Sequence, residues 1–128
     1  DVYISGDENK IAQVFDNLIQ NATSFSKENN IINIRLEKNL TKIIIMVEDN
    51  GPGFSKGSLK KVFDRFYTDR PKKEKFGNHS GLGLSISKQI VEAHGGSIEA
   101  LNRLNQRNKC LGGSVKVIFP EVKNNYVK

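Results

Sequence analysis

The chain has 128 residues, 37% of them hydrophobic and 27% charged, which suits one ordinary domain with enough apolar content to bury a core. Twenty Lys and Arg against 14 Asp and Glu leave a net charge of +6, compatible with a phosphate-bearing partner. One cysteine, Cys110, excludes an intramolecular disulfide, two histidines leave no His/Cys zinc site, and no apolar run approaches the ~20 residues of a membrane helix.

The start, Asp1-Val2-Tyr3-Ile4, is strand-like, has no initiator Met or signal-peptide pattern, and reads as a piece cut from something longer. From Asp7 to Phe25, apolar residues at Ile11, Val14, Phe15, Leu18, Ile19, Ala22 and Phe25 recur at spacings of three and four, which predicts an amphipathic helix. Asp7 or Gly6 can cap it, and Asp7 and Glu8 put negative charge where the helix dipole favours it. Two strands are expected next, over 31–36 and 43–47. In the first, Ile32, Ile34 and Leu36 alternate with Asn33 and Arg35 as in a half-buried strand; the second is continuously apolar and central.

Beyond Glu48 comes turn chemistry, Asp49-Asn50-Gly51-Pro52-Gly53, and then a long polar and basic loop to Ser80 with one short helix near 58–64. A second helix is expected over 82–94, with Leu84, Ile86, Ile90, Val91 and Ala93 as its apolar positions and Gly95-Gly96 as its stop. Closing strands over 97–101 and 114–119 complete a domain spanning 1–120, followed by a polar tail over 121–128. This order predicts an α+β two-layer sandwich, a mixed sheet with the helices on one face.

Three places are rich in residues that a core does not want. Asn17 and Asn21 sit one helical turn apart, so their side chains leave the same face. Asn favours caps and turns over helix interiors. The pair is either a solvated polar face or a source of amide oxygen for a hard cation such as Mg²⁺, which takes few protein ligands and shares substrate phosphates. Asp49-Asn50-Gly51-Pro52-Gly53 is either a plain turn or a site in which a carboxylate at a strand end accepts from an exocyclic amine such as that of adenine, while the glycines let backbone approach a flat ring. Gly81-Leu82-Gly83-Leu84 opens the second helix and can aim free amides at an anion. It lacks the Gly-Lys-Ser/Thr ending of a P-loop and the strand context of a dinucleotide fold.

Taken together and in order, Asn17-Leu18-Ile19-Gln20-Asn21-Ala22, Asp49 to Gly53, Phe63-Asp64-Arg65-Phe66-Tyr67, Ser80 to Leu84 and His94-Gly95-Gly96 resemble the N, G1, F and G2 boxes of sensor histidine kinase catalytic domains. The resemblance runs from Asp7 to Pro120. It implies the Bergerat ATP-binding fold shared with type II topoisomerase, mismatch-repair and heat-shock chaperone ATPases, with a flexible ATP lid. By that resemblance Asn21 is the Mg²⁺ ligand, with Asn17 near the metal and the transferring phosphoryl. Asp49 accepts from adenine, Gly51 and Gly53 shape its pocket, and the amides of Gly81, Leu82, Gly83 and Leu84 hold the phosphates. Phe25 is either an aromatic beside the adenine or a core residue of its helix. A finer resemblance, carried by Phe66-Tyr67-Thr68-Asp69-Arg70-Pro71 and Asn78-His79-Ser80-Gly81-Leu82-Gly83-Leu84-Ser85-Ile86, is to alphaproteobacterial envelope-sensing kinases of the ChvG type.

Two departures bear on the phosphates. Ser24 stands where the family often has Lys or Arg, and His79 where it often has Gly. Between Lys60 and Lys75 there are seven basic residues against three acidic, so most of the net charge lies in this loop. It is either a solvated charged segment or a lid in which Arg65, Arg70, Lys72, Lys73 or Lys75 replaces the missing cation. Arg70 is the first choice because its fork binds two phosphate oxygens. Phe63 and Phe66 would anchor the lid. Neither His79 nor His94 has the context of the family's phosphoacceptor, which the resemblance places on a separate dimeric hairpin. The chain is thus expected to bind ATP and Mg²⁺ and to be monomeric by itself. It would belong to a homodimeric inner-membrane receptor, of which it is a cytoplasmic part, and serve a response regulator. An anti-sigma-factor serine kinase shares the fold and the size. A nucleic-acid module is suggested by the charge alone, without an element that enters a groove.

Overall fold

The computed structural model describes residues 2–26, 31–55, 57–65, 67 and 83–122. Helix α1 runs Glu8–Phe25. Asp7 is its cap, the carboxylate accepting from the backbone amides of Asn9 (2.9 Å) and Lys10 (3.2 Å). Strands β1 (Asn33–Asn39) and β2 (Lys42–Glu48) follow, then helix α2 (Gly83–Ala93) and strands β3 (Ser97–Leu104) and β4 (Cys110–Pro120). Helix α2 ends in a Schellman turn: Gly95 takes φ 77°, Gly95 N–H donates to Glu92 O (3.0 Å) and Gly96 N–H to Val91 O (2.9 Å).

The strands lie in the order β1-β2-β4-β3, and each neighbouring pair is antiparallel. The expected mixed sheet is therefore corrected: among the described residues there is no parallel pair. The reason is topological, since β1–β2 and β3–β4 are hairpins and β4 returns alongside β2 in the opposite sense. Among the described residues the opening segment forms no ladder strand, and Tyr3 O accepts from Val122 N–H (2.8 Å). The polar connection expected over 37–42 shrinks to Leu40-Thr41, with Leu40 at φ 57°. The short helix expected over 58–64 is a series of turns, with Ser58 O accepting from Lys61 N–H (2.8 Å) and Val62 N–H (3.0 Å).

The α+β layering is as the pattern predicts. Alternation and register put Ile43, Ile45 and Val47 of β2, Val115, Val117 and Phe119 of β4, and Ile98 and Ala100 of β3 on one face. Val14, Leu18 and Ala22 of α1 and Ile90 and Val91 of α2 close over that face, joined by Phe54, Val62 and Phe63. Val14, Val91, Val117 and Phe119 are wholly buried, and each such side chain contributes about 1.5–3 kcal/mol. The other face carries charges, with Arg35 beside Glu37 (2.7 Å) and Glu48 (3.6 Å), and Lys116 beside Glu99 (3.6 Å). The half-buried alternation expected of β1 is not found. Ile34 and Leu36 lie on the helix side, yet are 55% and 57% exposed, because α1 seats over β2 and β1 is the outer strand.

Candidate functional site

The singled-out residues come together in two groups. The first joins the helices. Asn17, half-buried on α1, donates through Nδ2 to Gly83 O (3.3 Å) and Ser87 Oγ (3.3 Å), so one amide tethers α1 to the first turn of α2. Asn21 is half-buried one turn further along α1, on the same face. Ser24, another turn on, returns its hydroxyl to Gln20 O (2.7 Å) within its own helix. That hydroxyl supplies no cation, which agrees with the departure noted in the sequence.

The second group is the loop after β2. Asp49, 3% exposed, pairs its N–H with Gly113 O (2.9 Å) and accepts through Oδ1 from Gly51 N–H (2.9 Å) and Gly113 N–H (3.1 Å). The strand end thus becomes a fixed, buried carboxylate rather than a solvated turn. Gly53 is buried at φ 79°, and a Cβ there would meet Cys110 Sγ and Asn102 Oδ1. Only glycine lets the loop press so closely on β3 and β4.

Three contacts in this loop have no counterpart among the expectations. Asn102 accepts through Oδ1 from Phe54 N–H (2.7 Å) and donates through Nδ2 to Phe54 O (2.8 Å). Arg103 Nη2 donates to Asp49 O and Asn50 Oδ1, both at 2.7 Å. Cys110 lies 3.5 Å from Pro52 O. Their sequence signal is Gly112-Gly113 within β4, a glycine pair that marks a place where backbone approaches closely.

Gly83 opens α2, and Leu84 is half-buried behind it. Gly81, Leu82, Arg70, Lys72, Lys73, Lys75, Phe66 and His79 lie outside the described residues, as does the side chain of Phe25, the last residue of α1. Phe63, expected to anchor the lid, is 8% exposed within the core, with Lys88 Nζ 5.9 Å from its ring centroid.

Residues 6–123 match the family model described as histidine kinase-, DNA gyrase B- and HSP90-like ATPase. The chain belongs to this ATPase family. Within it, the likeness is to sensor kinases: the chain is 46% identical over 118 residues to the sensor protein ChvG of Agrobacterium fabrum, covering 91% of this chain and 20% of ChvG. The chain therefore spans about a fifth of that relative's length. The catalytic domain of the histidine kinase ThkA, in a nucleotide-free form, superposes at TM-score 0.74 with 33% identity, over 91% of this chain and 70% of that one. The mycobacterial sensor histidine kinase MprB gives TM-score 0.80 at 25% identity, over 94% and 76%. ThkA in complex with the response regulator protein TrrA gives 0.72 at 31% identity, over 96% and 32%. This is a histidine kinase ATP-binding catalytic domain.

The residues present fit nucleotide and Mg²⁺. The donor chemistry at Asn21 is a neutral amide oxygen, which suits a hard cation whose remaining ligands are water and phosphate. Among the described residues there is no group of three or more His, Cys, Asp or Glu side chains that would hold a metal otherwise. In the loop after β2, the buried Asp49 carboxylate and the close-packed Gly53 suit an amine-bearing flat ring.

Proposed function

We propose that this domain binds ATP and delivers its γ-phosphoryl group to a histidine on a separate dimerisation domain outside this sequence, as part of a two-component sensor kinase. The observation that carries the reading is the Asp49 carboxylate, buried at 3% exposure and fixed by the amides of Gly51 and Gly113. An ionised carboxylate accepts in about four directions. Asp49 takes the adenine amine in this reading, Gly51 and Gly53 shape the ring's slot, and Phe25 lies beside it. The amides of Gly81, Leu82, Gly83 and Leu84 hold the phosphates at the α2 N-terminus, where the helix dipole favours anions. Asn17 orients that helix start against α1.

Mg²⁺, when bound through Asn21, would supply neutralisation of phosphate charge. Arg70 would supply the cation that Ser24 does not. Phosphoryl transfer needs in-line placement and charge stabilisation more than covalent help. An imidazole nitrogen of the acceptor histidine bonds to the γ-phosphorus, the bond to the ADP oxygen breaks, and the imidazole N–H proton is released. The similarity to ChvG supports a sensor kinase over a serine kinase of the same fold. The description of ThkA with a response regulator supports a response regulator as the eventual phosphoryl acceptor. By the same reading the full protein is a homodimeric inner-membrane receptor and this part of it is cytoplasmic. No described helix is itself long and apolar enough to cross a membrane.

Titration calorimetry with a non-hydrolysable ATP analogue and Mg²⁺ tests the reading. Asp49→Asn replaces one acceptor oxygen by a donor amide and should weaken binding by roughly 10–100-fold, the cost of losing a charged hydrogen bond in a buried site. Unchanged affinity would remove Asp49 from the adenine.

A further inference from the structure

We propose that Asn102 and Arg103 are positioning residues for the adenine end of the site, a two-sided clamp from β3 that sets the orientation of the Asp49 carboxylate. The proposal rests on the reading of Asp49 as the acceptor of the adenine amine. Being neighbours on a strand, the two side chains leave opposite faces of the sheet. Asn102 lies on the helix side and pairs with both backbone groups of Phe54, as a neighbouring strand would. It thereby extends the ladder to a loop that has already left the sheet. Arg103 reaches the same loop from the other side, its Nη2 capping Asp49 O and Asn50 Oδ1. The loop is thus held at both ends, Asp49 and Phe54, while Gly51 and Gly53 lie between.

The local backbone is shaped for this grip. The register of β3 and β4 shifts between Arg103 and Leu104, a bulge that re-aims the strand. Opposite it, Gly112 has φ 153°, and a Cβ there would collide with the Asp49 carbonyl oxygen that Arg103 caps. Among the described residues, Arg103 Nε is buried with no hydrogen-bond partner. A buried unpaired donor in a native fold calls for a reason, and the two short bonds of Nη2 to the nucleotide loop supply one. A clamped loop presents its carboxylate already aimed, so little ordering has to be done when the ring arrives. Without the clamp the loss falls on recognition of the amine, not on the phosphates.

The test compares ADP with IDP, whose base carries a carbonyl where adenine has its amine. The full chain and its variants are titrated by calorimetry in Mg²⁺, with melting followed by circular dichroism. Asn102→Ala and Arg103→Ala should each lower ADP affinity about tenfold and leave IDP affinity within about twofold, narrowing the preference for adenine. Arg103→Lys, which keeps a donor for the Asp49 carbonyl, should recover part of the loss. Equal weakening of ADP and IDP, or unchanged ADP affinity, would overturn the clamp and leave the two residues as packing. Asp49→Asn separates the two levels. If it weakens ADP while the clamp variants do not, only the clamp falls; if it too leaves ADP unchanged, the adenine reading fails and takes the clamp with it. Should an alanine variant be unfolded at the titration temperature, Asn102→Ser and Arg103→Lys carry the same ADP and IDP comparison.

Discussion

A single side chain can be polar for two unrelated reasons, and Asn17 and Ser24 show the difference. Asn17 spends its amide on Gly83 and Ser87 of the other helix, while Ser24 spends its hydroxyl on Gln20 within its own turn. The phosphates of a bound triphosphate thus have no cation from α1 at the position of Ser24. Arg70 is the residue proposed to fill that need. Arg70→Ala should weaken ATP by roughly tenfold and AMP hardly at all, since a guanidinium acts on the β- and γ-phosphates that AMP lacks. Calorimetry on the two nucleotides checks this, and an equal effect on both would take Arg70 away from the phosphates.

Helix α1 was legible because its cue is local: Val14, Leu18 and Ala22 recur at helical spacing and are the residues found buried. The Asn102 clamp was not, because it joins residues 48 apart and depends on a bulge that no local pattern announces. The exposure of Ile34 and Leu36 was missed for a related reason. Alternation tells which face a residue takes, but not whether a helix covers that end of the face. The junction of the two helices is equally non-local. His94 Nδ1 lies 2.7 Å from Ile90 O, and Nε2 accepts from Asp7 N–H (3.0 Å), which requires the proton on Nδ1. Gly6 makes room for this ring, because a Cβ there would strike His94 Cδ2. Gly6→Ala should displace the imidazole, break its bond to the α1 cap residue and cost about 1–3 kcal/mol. Chemical denaturation checks this, and a variant as stable as the parent would show that the ring has room to shift.

Over the entire domain, the two faces of the sheet have different tasks. One is covered by the helices, while the other carries ion pairs open to water, whose contribution to stability is small. The Arg35 guanidinium is held above its usual range first by its hydrogen bond to Glu37 and then by the charge of Glu48. A raised basic group gives its stabilisation in full below its ordinary range, which lies far above neutrality, so Arg35 adds no pH dependence near neutral pH through its own titration. Supplied in trans with a histidine-bearing hairpin, the domain should phosphorylate it under the proposed function, and Asn21→Ala should lower the rate at least about 100-fold by removing the protein ligand proposed for Mg²⁺. Radiolabel transfer from ATP measures it, and a normal rate at ordinary Mg²⁺ would refute the metal role.

The bonds from Gly113 to Asp49 also order events in time. The loop that begins with Asp49 leaves the ribosome long before its support does, because Gly113 N–H and O both close on a residue 64 positions earlier. During synthesis the Asp49 carboxylate stays unaimed until β4 emerges and pairs with β2. A chain cut before β4 should therefore leave the Asp49 carboxylate unaimed and, under the proposed reading, bind adenine nucleotides poorly.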